Sequence, residues 1–122
     1  MKSVFEIWCL ITVFVLHIGI IGCHKKQEAD YHATAKAIYE SNKNSWIEFC
    51  TYKKQKVFCV QANAYDAGGV IYDCDKKQLG ICSYAWQQVD EICHQLADCE
   101  TIYIVEDNIW GEPAVDKWEL AK

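Results

Sequence analysis

Apolar residues fall along this chain in three patterns, and each predicts a different element. From Val4 to Gly22 they run almost unbroken, close to the length a membrane-crossing helix needs. From Tyr31 they step by three and four, at Tyr31, Ala35, Ile38, Tyr39, Trp46 and Phe49. Such steps line one face of a helix, with Asp30 as its N-cap and Asn42 and Asn44 loosening its second half. Lys56 to Ala62 and Val70 to Cys74 are β-prone runs flanking the turn-forming Tyr65-Asp66-Ala67-Gly68-Gly69. They predict a hairpin. A second turn, Asp75 to Gly80, leads to a short strand over Ile81 to Tyr84. Helical steps return at Trp86, Val89, Ile92, Cys93 and Leu96, the clearest amphipathic helix by this reading. Thr101 to Val105 reads as a central strand. The tail holds Asn108-Ile109-Trp110-Gly111 and the single proline, Pro113. Its apolar residues, Ile109, Trp110, Val115, Trp118 and Leu120, are costly to leave in water, so order is expected there. The element order α-β-β-β-α-β predicts an α+β domain: a small antiparallel sheet of three or four strands on one or two helices.

The first apolar run has a further reading. Lys2 precedes it, and small and aliphatic residues close it directly before Cys23. A positive start, an apolar middle and a small-residue exit are the layout of a secretion signal. Glu6, Gly19 and Gly22 suit a cleaved signal better than a spanning helix. Ile20-Ile21-Gly22-Cys23 resembles the lipobox of bacterial lipoprotein precursors. That resemblance implies cleavage after Gly22, lipidation of Cys23 and attachment to a cell-envelope membrane through the lipid. It also implies the outer membrane, because His24 stands where an Asp would favour inner-membrane retention. The alternatives are free secretion and an uncleaved anchor. Residues 1–22 are thus the signal peptide, 23–30 the lipidated cysteine and a polar tether, and 31–122 a single small domain.

Eight cysteines sharpen this division. Cys9 lies in the signal. If Cys23 carries lipid, Cys50, Cys59, Cys74, Cys82, Cys93 and Cys99 remain as disulfide candidates, an even set suited to an oxidising compartment. The predicted hairpin sets Cys59 opposite Cys74, and a bridge between Cys50 and Cys59 would staple the loop around Lys53-Lys54-Gln55-Lys56. No pair has the close spacing of a zinc finger or ribbon. A domain this small buries only about two-thirds of its unfolded surface, so each disulfide, at ~2–4 kcal/mol, matters to its stability.

The net charge is −5, and it is uneven. Residues 24–77 carry nine lysines and seven acids, whereas residues 78–122 carry two lysines and nine acids. An acidic half excludes the basic footprint of nucleic-acid binding and suits a basic partner or a cation. There is no arginine, the usual bidentate clamp for phosphate or carboxylate.

Candidate chemistry is sparse. Asp90, His94 and Asp98 share a face of the second predicted helix, at a spacing that can hold a divalent metal given a further ligand. The ordinary reading is a solvated face. Cys93 and His94 are adjacent, but neighbours on a helix diverge by about 100° and do not face each other. The lysine cluster, if stapled, is a rigid loop of the kind an inhibitor presents. Trp110, between Ile109 and Gly111, is a candidate surface anchor. No P-loop, nucleophile elbow, dinucleotide fingerprint or zinc-protease motif occurs. The expectation is a non-catalytic binding or structural module without a cofactor. The alternatives are an inhibitor of a lysozyme or protease and, further off, a small Cys/His- or metal-dependent enzyme.

Overall fold

The computed structural model describes residues 28–122. One α-helix, α1 (Glu28–Ser41), precedes seven strands: β1 (Ser45–Tyr52), β2 (Gln55–Ala62), β3 (Gly69–Tyr72), β4 (Gln78–Ser83), β5 (Gln88–Val89), β6 (Ala97–Ile104) and β7 (Val115–Asp116). A 3-10 turn, Glu91–His94, lies between β5 and β6. The strands form one antiparallel sheet in the order β5-β4-β3-β2-β1-β6-β7. The expected helix-plus-antiparallel-sheet arrangement is present in coarse form, but the sheet is larger than three or four strands and dominates the fold. The signal peptide and Cys23 lie outside the described residues.

Two predicted helical stretches are strands or turns instead. The first helix ends at Ser41, and Asn42 closes it by donating its side-chain N–H to Ile38 O at 2.8 Å. Trp46 and Phe49, read above as helical, belong to β1. There Ile47 and Phe49 alternate with Trp46, Glu48 and Cys50, and a two-residue period puts the two sets on opposite faces. The helix also includes Glu28 and Asp30, so Asp30 lies inside its first turn and not at the cap.

The second correction is the absence of a helix over Trp86–Leu96. Tyr84–Gln87 is a turn, with Gln87 at φ 55° and its N–H donated to Tyr84 O. The chain then returns as β5 against β4, pairing Cys82 with Val89. The Cys82–Cys93 disulfide fastens the following 3-10 turn to β4. Gly80 permits this: a Cβ there would stand 2.4 Å from Ile92 Cγ2. The helical spacing was therefore overridden by a crosslink and a backbone ladder that periodicity does not register.

The sheet has two differently built faces. On one, Ala35, Ile38 and Tyr39 of α1 cover Ile47, Phe49, Phe58, Val60, Ile102 and Tyr103, with Leu120 of the C-terminal tail completing the cluster. Rings interlock there: Phe49 lies 5.1 Å from Phe58 and 4.9 Å from Trp118 between centroids. On the other, Cys50, Val57, Ile71 and Cys82 are covered by Ile92, with Cys93 and Leu96 alongside. Antiparallel connection also sorts the loops to two ends. The β1–β2 and β3–β4 turns lie at one, which we term the turn end. The α1–β1, β2–β3, β4–β5 and β6–β7 connections lie at the other, the loop end.

Cysteine pairing departs from the even-set expectation. Cys50 bonds Cys99, and Cys82 bonds Cys93. Cys59 is a free thiol. Cys74 is disulfide-bonded. Neither the Cys59–Cys74 nor the Cys50–Cys59 bridge forms. The β2–β3 register pairs Cys59 with Ile71, because the hairpin is centred on Tyr65 and not between Asp66 and Ala67.

Candidate functional site

Two places gather chemistry, and both lie on the sheet face away from α1. The first is a thiol and carboxylate centre. Glu48 on β1 stands directly opposite Cys59 on β2. Glu48 Oε2 lies 3.9 Å from Cys50 Sγ, and the Glu48 carboxylate and the Cys50 and Cys99 sulfurs all fall within 4.8 Å of one another. The two sulfurs are joined in a disulfide, so they offer no thiolate to a metal while oxidised. Burial alone raises the Glu48 carboxyl above its usual range. Burial, reinforced by the Glu48 charge, pushes the Cys59 thiol up to about 11. A thiol in that range stays protonated at neutral pH and is a poor nucleophile.

The second place is a groove at the loop end, with a cavity volume of about 260 Å³. Its floor is Gln61 near the end of β2, Gly68 just before β3 and Cys82 near the end of β4, and its walls carry Tyr65, Tyr84, Ile109 and Trp110. Each wall residue sits there for a local reason. Tyr65 precedes a turn in which Asp66 and Gly68 both take positive φ (64° and 67°). Gly68 is required, since a Cβ there would lie 2.8 Å from Ser83 Cα. That turn lifts Tyr65 into solvent, 81% exposed. Tyr84 opens the β4–β5 turn at 63% exposure. Trp86, in the same turn, is 74% exposed and donates its indole N–H to Asp66 O at 3.0 Å, tying two loops together beside the groove. Trp110 packs edge-on against Trp46, centroids 5.4 Å apart. Its loop is pinned by Asn63, whose Oδ1 accepts the Ile109 N–H at 2.7 Å. A larger depression, about 470 Å³, lies along β6 and β7 and is lined by no exposed aromatic ring.

The residues singled out from the sequence scatter. Asp90, His94 and Asp98 lie before the 3-10 turn, within it and on β6, so the helical face that grouped them is absent. The Asp90 carboxylate accepts the Ile81 N–H at 2.7 Å. Cys93 has no thiol to offer beside His94, because it is bonded to Cys82. Lys53 and Lys54 form the two-residue β1–β2 turn, both at positive φ (45° and 63°), a type I′ geometry. The loop is rigid through its hairpin and not through a staple. Lys56 Nζ reaches Thr51 Oγ1 at 3.0 Å over the Phe49 ring. Trp110 is the one anchor candidate that the structure brings to a groove, half-buried and walled in by residues the sequence reading passed over. Tyr65 and Tyr84 carried a usable signal: an aromatic ring inside or beside a turn has no sheet or helix face on which to be buried. Trp86 was masked by its helical spacing.

Comparison with protein-family models, with curated proteins and with solved structures finds no match to this chain.

Proposed function

We propose that the chain is a small lipid-anchored protein of a bacterial envelope, and that its domain is a non-catalytic binding module acting through the loop-end groove. The observation that carries the binding reading is the collection of Tyr65, Tyr84 and Trp110 around one cavity, with Trp86 tied to Asp66 beside it and Tyr65, Tyr84 and Trp86 largely in water. Exposed rings held in fixed loops lose little entropy on binding and bring large contact areas. A photo-crosslinking residue at Tyr84, compared with one at Lys77 on the turn end, tests it. Adducts from position 84 alone are expected; equal yields from both positions, or none from position 84, would discard the groove as the binding surface.

Two disulfides support an envelope location, because they persist in oxidising compartments outside the cytosol. No helix among the described residues is long and apolar enough to cross a membrane. The anchor rests on Ile20-Ile21-Gly22-Cys23 alone, since the free Cys59 removes the parity argument. Cys23→Ser should move the protein from the membrane to the soluble fraction. Peptide mapping of the unreduced protein is the sharper check. A lipidated sulfur cannot also form a disulfide, so a peptide joining Cys23 to Cys74 would defeat the anchor.

An inhibitor of an incoming hydrolase is the second reading. Residues 78–122, with two lysines against nine acids, favour a basic lysozyme as its target. The lysine turn is less suited to a protease, because strand-like docking uses extended backbone and Lys53 and Lys54 are left-handed.

A further inference from the structure

Charge at the loop end adds to the aromatic wall. Asp66 lines the groove, and Glu106, Asp107 and Glu112 stand in the β6–β7 loop that also supplies Ile109 and Trp110. None of these four acids forms an ion pair among the described residues. Lys43, the nearby cation of the α1–β1 connection, is paired with Glu40 at 3.3 Å. No lysine lines the cavity itself. The groove thus combines exposed ring faces with one lining carboxylate, Asp66, and three further acids in an adjoining loop, none of them ion-paired among the described residues.

Those two properties select a ligand together. The face of a tyrosine or tryptophan ring is negative and attracts an ammonium or guanidinium group, and the aliphatic stem of the same side chain covers apolar ring surface. Carboxylates at the rim steer and hold the cation. An anionic ligand meets repulsion. A neutral sugar can stack on the rings and donate hydroxyls to the carboxylates, but it cancels none of their charge.

We propose that the loop-end groove binds a lysine- or arginine-bearing segment of a basic protein, the cationic side chain lying between Tyr65, Tyr84 and Trp110 with Asp66 at its rim and Trp86 bracing the wall. This rests on the binding-module reading above and specifies its partner. The cavity, about 260 Å³, is of a size to admit one long side chain and not a folded element.

The test uses the full chain and three probes: a capped heptapeptide containing two lysines, the same peptide with norleucine in their place, and a hexamer of β-1,4-linked glucose. Calorimetric titration should detect the lysine peptide and lose most of the signal for norleucine. Tyr84→Ala and Tyr65→Ala should each weaken lysine-peptide binding roughly tenfold, the range expected for a partly desolvated cation–π contact. Asp66→Asn should weaken it about threefold, with a shallower salt dependence. Tyr84→Phe, which keeps a ring, should restore most of the loss, and Lys77→Ser at the turn end should change nothing. Equal binding of the norleucine peptide, or stronger binding of the glucose hexamer, overturns the cationic ligand and leaves the groove as a binding site. If no probe binds and position 84 yields no adducts, the binding-module reading falls with it. Unchanged affinity in both alanine variants places any binding elsewhere and overturns the proposal.

Discussion

The two faces of the sheet bury their residues by different means. The face under α1 is closed by area: Phe49, Phe58, Tyr39, Tyr103 and Trp118 interlock with a helix laid across them. Among the described residues no α-helix covers the opposite face. It is closed by a short 3-10 turn and two crosslinks, and it retains a carboxylate and a thiol in its half-buried middle. The lesson is that one sheet in a domain this small can substitute covalent closure for apolar area. The second face leaves its loop end open, and the groove is there.

Mutations can break this contrast, beginning with the largest effect. Phe58→Ala on the helix face should cost about 3–5 kcal/mol, because a fully buried ring leaves a cavity among other rings. Chemical denaturation would measure it, and a loss under 1 kcal/mol would mean that α1 is not the source of that face's stability. Replacing Cys82 and Cys93 together by alanine should cost about 3 kcal/mol, the loop-closure value for a short loop. A loss confined to local hydrogen exchange in residues 88–96 would show the staple to be local.

Titration gives the next effect. The Cys59 thiol rises from 9.0 in the ordinary case to about 11 in the fold. Its contribution is therefore fully present below pH 9 and fades as pH climbs toward 11, where the unfolded chain releases the proton more readily. Wild type should lose on the order of 2 kcal/mol more than Cys59→Ala across that window. Parallel pH profiles for the two proteins would contradict the buried placement. Alkylation of Cys59 in the native protein should likewise be slow at pH 7 and accelerate above pH 10.

Smallest is Glu48→Gln. Burial holds the Glu48 carboxyl above its usual range, so its ionised form opposes folding at neutral pH. The variant should be as stable as wild type or slightly more so at pH 7, with the gain disappearing in acid. A clear destabilisation at pH 7 would mean that the carboxylate is satisfied by a partner.

The legible parts of this fold are those fixed by nearby residues. The first helix shows in the steps of Tyr31, Ala35, Ile38 and Tyr39, and the β2–β3 hairpin shows in Gly68 and Gly69 between β-prone runs. Strand β1 does not show, because Trp46 and Phe49 satisfy a helical step and a strand's alternation passes through Glu48. Trp86, Val89, Ile92 and Leu96 mislead for the reverse reason: disulfide Cys82–Cys93 decides their conformation, and pairing over that distance leaves no periodic trace. Of the groove, only Trp110 was visible. Its other walls come from three loops that meet because antiparallel strands deliver them to the same end, a consequence of topology and not of any segment's pattern.

The direction of α1 has one more outcome. It starts beside the turn end, where Thr34 Oγ1 donates to Cys74 O at 2.9 Å, and finishes beside the loop end, where Tyr103 donates its hydroxyl to Lys43 O at 2.7 Å. Its 14 residues span about 20 Å. A lipid at Cys23 would hold the molecule by the near end of that rod, with the aromatic groove at the far end. The helix would then act as a spacer, lifting the groove clear of the headgroups and turning it outward toward whatever diffuses past the membrane.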